Sequence, residues 1–154
     1  QAVSAFDNFR KKEGNALGKD LEERIHAILA NMHQLEPFET ARIEAVRKRL
    51  NNALADLIPA QEVDRNRFEQ ELIYYIERMD FSEEKQRLRT HCDFFMKTID
   101  EKESNGRKLN FISQEMGREI NTLGSKANHA EIQKIVVQMK DELEKIKEQL
   151  LNVL

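Results

Sequence analysis

Apolar residues recur at steps of three or four along most of this chain, the spacing that places side chains on one face of a helix. These stripes alternate with turn and capping signals, and strand-forming residues are sparse. The pattern predicts an all-α fold, a helical bundle of about six helices.

The first stripe predicts a long first helix, but it does not define the residue at which this helix begins. Gly14 and Gly18 each cost about 1 kcal/mol relative to alanine inside a helix, so a break near Glu13 is one expectation. Pro37 should then start a second helix as its first residue. The residues of this stripe are Leu17, Leu21, Ile25, Ile28, Met32 and Leu35.

Three more stripes predict the next helices. The second runs from Phe38 to just before Pro59, and the third begins at Asp64, a favourable N-cap. The fourth should cover Ser82 to about Glu101, after a segment of capping-box form. The apolar positions are Ile43, Val46, Leu50, Ala53 and Leu57 in the second, Phe68, Leu72, Tyr75, Ile76 and Met79 in the third, and Leu88, Cys92, Phe95 and Ile99 in the fourth.

A turn is predicted at 104–106, and two further helices follow it. The fifth should run from Lys108 to about Leu123, with Gly124 as its stop. Asn128 and Glu131 have capping-box spacing and should open the last helix. The apolar positions are Leu109, Ile112, Met116, Ile120 and Leu123 in the fifth, and Ile132, Val136, Met139, Leu143, Ile146, Leu150 and Val153 in the last.

The last helix has the alternating four and three steps of a coiled-coil seam. The first and last helices could therefore pack as an antiparallel, coiled-coil-like pair. A seam of this kind could equally make contact between copies of the chain.

Composition narrows the class of protein. The 154 residues suit one domain, and a net charge of −3 means that any nucleic-acid binding must come from a local patch. The single cysteine, Cys92, cannot form an internal disulfide, in agreement with a reducing cytoplasm, and its apolar stripe favours a core position over a nucleophile. No apolar run approaches the roughly 20 residues of a membrane span, and no signal peptide is visible. Because the chain starts at Gln1, we expect native residues upstream.

Glu115 and Glu119 are the first candidates for chemistry. They lie one turn apart at the border of the apolar face of the fifth helix, where like charges repel and a bound cation would relieve the conflict. The alternative is that Arg118 and Lys108 neutralise them as surface ion pairs.

The segment 106–126 is locally basic, with four cations against two acids, a balance of +2. Such a patch could hold phosphate beside a carboxylate-bound metal, the arrangement that phosphodiester cleavage uses. A solvated charged face is the alternative. The cations are Arg107, Lys108, Arg118 and Lys126.

His91 is the best acid–base candidate, since it shares a stripe of the fourth helix with Glu84. An imidazole can ligate metal or move protons near neutral pH, although a lone histidine in an amphipathic helix is more often simply packed. We interpret the remaining histidines, His26, His33 and His129, as structural.

One long string resembles a known family. Residues 106–128 read GRKLNFISQEMGREINTLGSKAN, and the acid-rich helix AEIQKIVVQMKDELEKIKEQ follows shortly after. These segments resemble the C-terminal third of the bacterial YicC/YloC proteins, long catalogued as stress-induced proteins. Earlier blocks agree, in EG followed by DL at 13–21, RFEQE at 67–71 and the segment 80–91.

Three positions depart from the family pattern. Gly117 stands where the family usually has Asn, Asn110 where it usually has Asp, and the tail 150–154 differs from the common ending. The first two lie in the candidate site. They bear on metal binding and substrate preference.

The resemblance implies that residues 1–154 are a C-terminal helical domain whose N-terminal partner domain is absent from this sequence. It further implies endonucleolytic cleavage of RNA, not DNA, with a divalent metal such as manganese or magnesium, in a cytoplasmic homo-oligomer that is often a hexamer. The alternatives are a non-catalytic module for oligomerisation and RNA clamping, with catalysis in the missing domain, and a structural scaffold.

On that basis we assign candidate roles. His91, Glu115 and Glu119 are the catalytic candidates, and Glu84 joins these three as the candidate metal ligands. The candidate RNA phosphate-binding residues are Arg87, Arg107, Lys108, Arg118 and Lys126.

Overall fold

The computed structural model describes residues 2–57, 64–101 and 105–152, and these ranges contain helices without any strand. The predicted all-α class is therefore confirmed. The six helices of the described ranges are α1 (Ala2–Gln34), α2 (Glu36–Leu57), α3 (Arg65–Met79), α4 (Ser82–Ile99), α5 (Gly106–Lys126) and α6 (Ala130–Leu151).

Helices α1, α4, α5 and α6 pack side by side as an antiparallel four-helix bundle. Nη1 of Arg24 in α1 lies 3.2 Å from Oε2 of Glu142 in α6. Farther along, Leu17 and Gln149 line one surface groove. Residue numbers therefore fall along α1 in the direction in which they rise along α6. The predicted antiparallel packing of the first and last helices is thus confirmed, whereas a coiled-coil seam stays a prediction.

The hydrophobic core lies between these four helices. The predicted stripes of α5 and α6 are buried along their described lengths, and α4 adds Leu88, Cys92 and Phe95. From α2, only the partly buried Phe38 packs against this cluster. We call α2 and α3 together the α2–α3 arm, because its buried apolar residues, Val46 and Leu72, lie outside the main core.

Helices α1 and α2 differ from the prediction at their N-terminal ends, whereas α3 begins as predicted. Helix α1 is continuous through Gly14 and Gly18, so the expected break near Glu13 is wrong. A Cβ atom added at Gly14 would meet no heavy atom within 4 Å outside its own stretch of helix, so no close packing contact interrupts α1 there. Helix α2 begins at Glu36, one residue before Pro37. Asp64 caps α3 as predicted, accepting from the backbone N–H of the second and third residues beyond it.

The ends of α4 and α5 also differ from the prediction. The residue before α4 is Phe81, which cannot cap, and Asp80 instead accepts from both the N–H and the hydroxyl of Ser82. Helix α4 ends at Ile99, two residues before the expected end. Helix α5 starts at Gly106, two residues before the predicted start. Its backbone stays helical through Gly124, so the prediction that this glycine ends the helix is wrong.

Helix α6 is capped by His129, not by Asn128. The Nδ1 atom of His129 accepts from the N–H of Ile132 at 3.5 Å, and its ring lies 5.4 Å from the ring of Phe38. This capping role supports the structural interpretation of that histidine.

Three sequence features lie outside the described residues: Pro59 as a helix stop, Ser104 in the predicted turn, and Val153 at the end of the last stripe. Among the helices that the structure describes, none is both long enough and apolar enough to cross a bilayer.

Candidate functional site

Helices α4 and α5 run antiparallel and meet along one charged groove. Lys126 contacts Glu84 at one end, Arg87 contacts Glu119 next, and Lys108 lies over the ring of Phe94 farther along. The corresponding distances are 2.6 Å from Nζ to Oε1, 2.9 Å from Nε to Oε1, and 5.0 Å from Nζ to the ring centroid. We call the surface spanned by these contacts the α4–α5 face.

This register brings His91 level with Glu115. His91 is one turn beyond Arg87 on α4, and Glu115 is one turn before Glu119 on α5. Because the helices are antiparallel, moving one turn toward the C-terminus of α4 and one turn toward the N-terminus of α5 leads in the same direction. From the contact between Arg87 and Glu119, this move reaches His91 and Glu115. The imidazole is half-buried, and the Glu115 side chain is 22% exposed, so both reach the surface.

Arg87 connects three carboxylates across the face. Its Nε donates to Glu119, its Nη1 donates to Glu83 at 3.1 Å, and its Nη2 lies 3.4 Å from Glu84. The hydrogen bond to Glu119, followed by the one to Glu83, raises the pKa of the guanidinium. The side chain is still 46% exposed, so the cation is held in place and open to solvent.

Glu84 is the most enclosed carboxylate of the face, at 4% exposure. Its Oε1 accepts from Lys126, while its Oε2 is buried without a hydrogen-bond partner in the described structure. Burial raises the pKa of Glu84, but the hydrogen bond from Lys126 and a backbone N–H of the first turn of α4 lower it, and the net shift is downward. Glu84 is therefore a fixed anion.

The four predicted metal ligands do not converge as a metal site in this chain. Within the three described ranges, no three His, Cys, Asp or Glu side chains are grouped so that they could hold an ion. Glu84 is held by Lys126, Glu115 by Arg118 at 2.9 Å, and Glu119 by Arg87. As placed here, these four side chains thus do not fit a divalent metal.

The five candidate phosphate-binding cations fall into two groups. Arg87, Arg118 and Lys126 lie beside the glutamates, and Arg118 is 75% exposed. Lys108 instead contacts Glu101 at 2.9 Å, near the start of α5. Arg107 is exposed in the first turn of α5 and forms no ion pair within the described part of the chain.

The surface-pair alternative for the glutamates is partly right. Arg118 does neutralise Glu115, three residues away on the same helix. Lys108, however, reaches neither glutamate, and Glu119 is neutralised from α4 by Arg87. Spacing within α5 gave no signal for this second contact, because it depends on how the two helices align.

Gly117, which departs from the family pattern, faces α6. A Cβ atom at this position would lie 3.3 Å from Cδ2 of Leu143 and 3.8 Å from Nζ of Lys147. A longer side chain here would therefore meet a cation of α6. The departure alters the surface between α5 and α6 and leaves the contacts of Glu115 and Glu119 in place.

An antiparallel bundle with carboxylates, guanidinium groups and an imidazole along one groove defines a helical domain that presents charged side chains on a rigid surface. Residues 35–154 match the family model described as endoribonuclease YicC-like, C-terminal. The chain belongs to this family, and the match covers its C-terminal domain.

Two relatives support this assignment over nearly the whole chain. A protein of Clostridioides difficile (strain 630) named "Probable endoribonuclease YicC" is 35% identical over 153 residues, which cover 99% of this chain and 52% of the relative. A Haemophilus influenzae protein with the same name is 32% identical, covering 98% of this chain and 54% of the relative. The chain spans about half the length of these curated relatives.

Proposed function

We propose that this chain is the C-terminal domain of an endoribonuclease and that its α4–α5 face contacts the RNA at the cleaved bond. The observation that carries the proposal is the register that sets His91 level with Glu115, one turn from Arg87 and Glu119. The printed names of the relatives give the substrate class, because both are called probable endoribonucleases.

Under this proposal the guanidinium groups hold the phosphate. Arg87 and Arg118 would exchange a carboxylate oxygen for a phosphate oxygen, which accepts the same N–H donors and carries the same sign of charge. Both side chains are exposed enough for this exchange, at 46% and 75%. Fixed donors of this kind stabilise the charge that develops on phosphate during cleavage.

His91 and Glu115 are the proposed proton-transfer pair. Imidazole gains and loses a proton readily near neutral pH, so His91 would exchange it with an RNA hydroxyl. Glu115 lies level with His91 and would orient the ring or accept the proton. Glu119 keeps Arg87 directed across the groove through their 2.9 Å contact.

A second function is also supported by specific observations. Each predicted catalytic carboxylate is already held by a cation, and the chain covers only about half of its relatives. Both facts favour a clamp that holds RNA while the other half of the protein cuts it.

We also propose two properties that the family implies, a divalent metal and homo-oligomeric assembly. A divalent metal would have to draw further ligands from elsewhere, since the carboxylates of the described residues do not converge. Homo-oligomeric assembly could supply them. Cleavage with and without chelator, together with sedimentation of the full-length protein, tests the two proposals separately.

The decisive experiment measures cleavage of a labelled RNA hairpin by full-length protein and by this fragment. Glu115→Gln and His91→Asn should each lower the cleavage rate at least about 100-fold, the lower range for loss of a general acid or base. Glu144→Gln is the matched control, because that exposed α6 carboxylate pairs with Lys147 at 3.5 Å, away from the α4–α5 face. Helical circular dichroism should be unchanged in all three.

The outcomes separate the candidate functions. Wild-type cleavage rates in both site variants would overturn the catalytic proposal. Weaker RNA retention with an unchanged rate at saturating RNA would instead support the clamp. A full-length protein that shows no salt-sensitive RNA binding would overturn both and leave a structural scaffold.

A further inference from the structure

A pocket of about 250 Å³ lies where the α2–α3 arm meets the beginning of α4. Its walls are mainly apolar and include Ile43 from α2, Ile76 and Met79 from α3, and Phe81. The volume is several times the roughly 30 Å³ of a water molecule and just below the roughly 300 Å³ at which pockets for drug-sized ligands begin. It therefore suits one ring system.

Arg42 lines this pocket as a buried cation at 8% exposure. Its guanidinium carbon lies 4.8 Å from the centroid of the Phe81 ring, and its Nη2 donates to the carbonyl of Met79. Nε and Nη1 are buried and have no hydrogen-bond partner in the described structure. A buried donor left unpaired costs about 1–3 kcal/mol, and more when charged, so a ligand acceptor that reached these atoms from the pocket would relieve a real deficit.

The other polar groups of the pocket argue against a simple anion. Asp80 and Glu39 both line it, and their carboxylates would repel a free phosphate. Oδ1 of Asp80 is occupied by Ser82, and Oε1 of Glu39 accepts from Lys85 at 2.6 Å. Each carboxylate has a second oxygen that accepts no hydrogen bond from the residues the structure describes. The pocket thus offers N–H donors, carboxylate acceptors and apolar walls together.

The pocket also adjoins one end of the α4–α5 face. Ser82 lines the pocket and is two residues before Glu84 in the first turn of α4. Because Glu84 pairs with Lys126 at 2.6 Å, this end of the groove lies beside the pocket. A strand whose phosphates follow the groove has a base-sized cavity beside it.

We propose that this pocket binds one unpaired nucleobase, with guanine the best chemical match. The O6 and N7 atoms of guanine accept from arginine, and its N1–H and N2–H groups donate to a carboxylate. Arg42 supplies the donors, Asp80 or Glu39 accepts, and the apolar walls cover the ring faces. The assignment of that base to an RNA strand rests on the proposed function.

The test measures binding by the full chain of a short single-stranded oligouridine and of the same strand with one central guanosine or adenosine. Guanosine monophosphate and inorganic phosphate are the small-molecule probes. Arg42→Met removes the N–H donors, and Ile43→Trp fills the cavity while Arg42 itself is retained. Arg47→Met is the matched control, because this arginine lies on the same helix and pairs with Glu69 at the surface.

The wild type and Arg47→Met should bind the guanosine strand at least about fivefold more tightly than oligouridine, the low end for one bidentate base contact. Arg42→Met and Ile43→Trp should lose this preference and keep the oligouridine affinity. Should Arg42→Met fail to fold, Ile43→Trp gives the same readout. Equal preference in all variants, no preference in the wild type, or competition by inorganic phosphate as strong as by guanosine monophosphate would each overturn the proposal.

Failure of the pocket and failure of the proposed function are distinguishable. Loss of cleavage in the His91 and Glu115 variants without any base preference would overturn the pocket alone. Arg42-dependent binding of guanosine monophosphate by a protein that neither binds nor cuts RNA would overturn the proposed function and support a nucleotide site.

Discussion

The ammonium group of Lys126 lies 2.6 Å from the buried carboxylate of Glu84 and joins the last turn of α5 to the first turn of α4. Each partner also suits its own helix end, since anions are favoured at helix N-termini and cations at C-termini. One ion pair therefore stabilises two helix ends where they meet on the α4–α5 face.

Replacing Lys126 should destabilise the domain. Lys126→Met leaves Glu84 buried with Arg87 at 3.4 Å as its remaining ion-pair partner. Loss of one partner of a fully buried pair costs about 3–5 kcal/mol. Because Lys126 is 33% exposed, we expect a smaller loss of roughly 1–3 kcal/mol in the free energy of unfolding.

Urea denaturation at neutral pH checks this value. Lys134→Met is the control, since its pair with Glu131 is exposed on α6 and should be worth no more than about 0.5 kcal/mol. Equal urea midpoints for the two variants would contradict the role given to the buried pair.

Acid should lower the stability of the fold through Glu84 and Asp80, which lie at the start of α4. Burial raises the pKa of Glu84, but the hydrogen bond from Lys126 and the backbone N–H of Glu84 bring it below its usual value of 4.5. The Ser82 hydroxyl lowers the pKa of Asp80 from 3.8. Folded-state values below unfolded ones stabilise the fold above about pH 4.5, and this contribution is lost as pH falls through the folded values.

Urea midpoints measured from pH 7 down to pH 3 should therefore decline below about pH 4.5. Glu84→Gln cannot titrate at this position, so its midpoint should decline less steeply than that of the wild type. Parallel curves for the two proteins would show that Glu84 contributes nothing to the acid sensitivity.

Cys92 should resist thiol reagents in the folded protein. Burial raises the pKa of its thiol to about 12, and its side chain has no exposed surface. At pH 8 an aromatic disulfide reagent should react far more slowly with the native domain than with glutathione, and at a comparable rate in strong urea. Rapid reaction without urea would place the thiol outside the core.

Two helical glycines should respond differently to alanine. At Gly14 an added Cβ meets no heavy atom within 4 Å, so Gly14→Ala should stabilise the fold by about 0.5–1 kcal/mol. At Gly124 the Cβ would lie 3.1 Å from Cγ1 of Val136, a buried core residue that cannot easily move. Gly124→Ala should therefore stabilise less or destabilise, and thermal melts of both variants decide the sign.

The bundle was predictable where apolar spacing and burial coincide. The stripes of α4, α5 and α6 predicted core residues such as Phe95, Met116 and Met139, all of which are fully buried. In the α2–α3 arm the same spacing predicted helices correctly, yet Ile43 and Tyr75 are 36% and 42% exposed. Periodicity reports which face is apolar, but the presence of a neighbour decides whether that face is covered.

The contacts between helices could not be predicted from spacing. Glu115 and Arg118 are three residues apart, so their ion pair follows from helical geometry alone. The pairs of Arg87 with Glu119 and Lys126 with Glu84 depend on the alignment of two helices, which core packing sets. Arg42 gave no sequence signal, because its burial results from contact with Met79 and Phe81.

The position of the α2–α3 arm outside the main core has a consequence for motion. Val46 and Leu72 are its buried apolar residues, so opening the arm exposes much less apolar surface than separating the bundle helices. Its amide protons should exchange with solvent through local opening, at a lower free energy than those of α4, α5 and α6. The domain would thus unfold in two tiers, and the cavity beside Arg42 lies on the boundary between them.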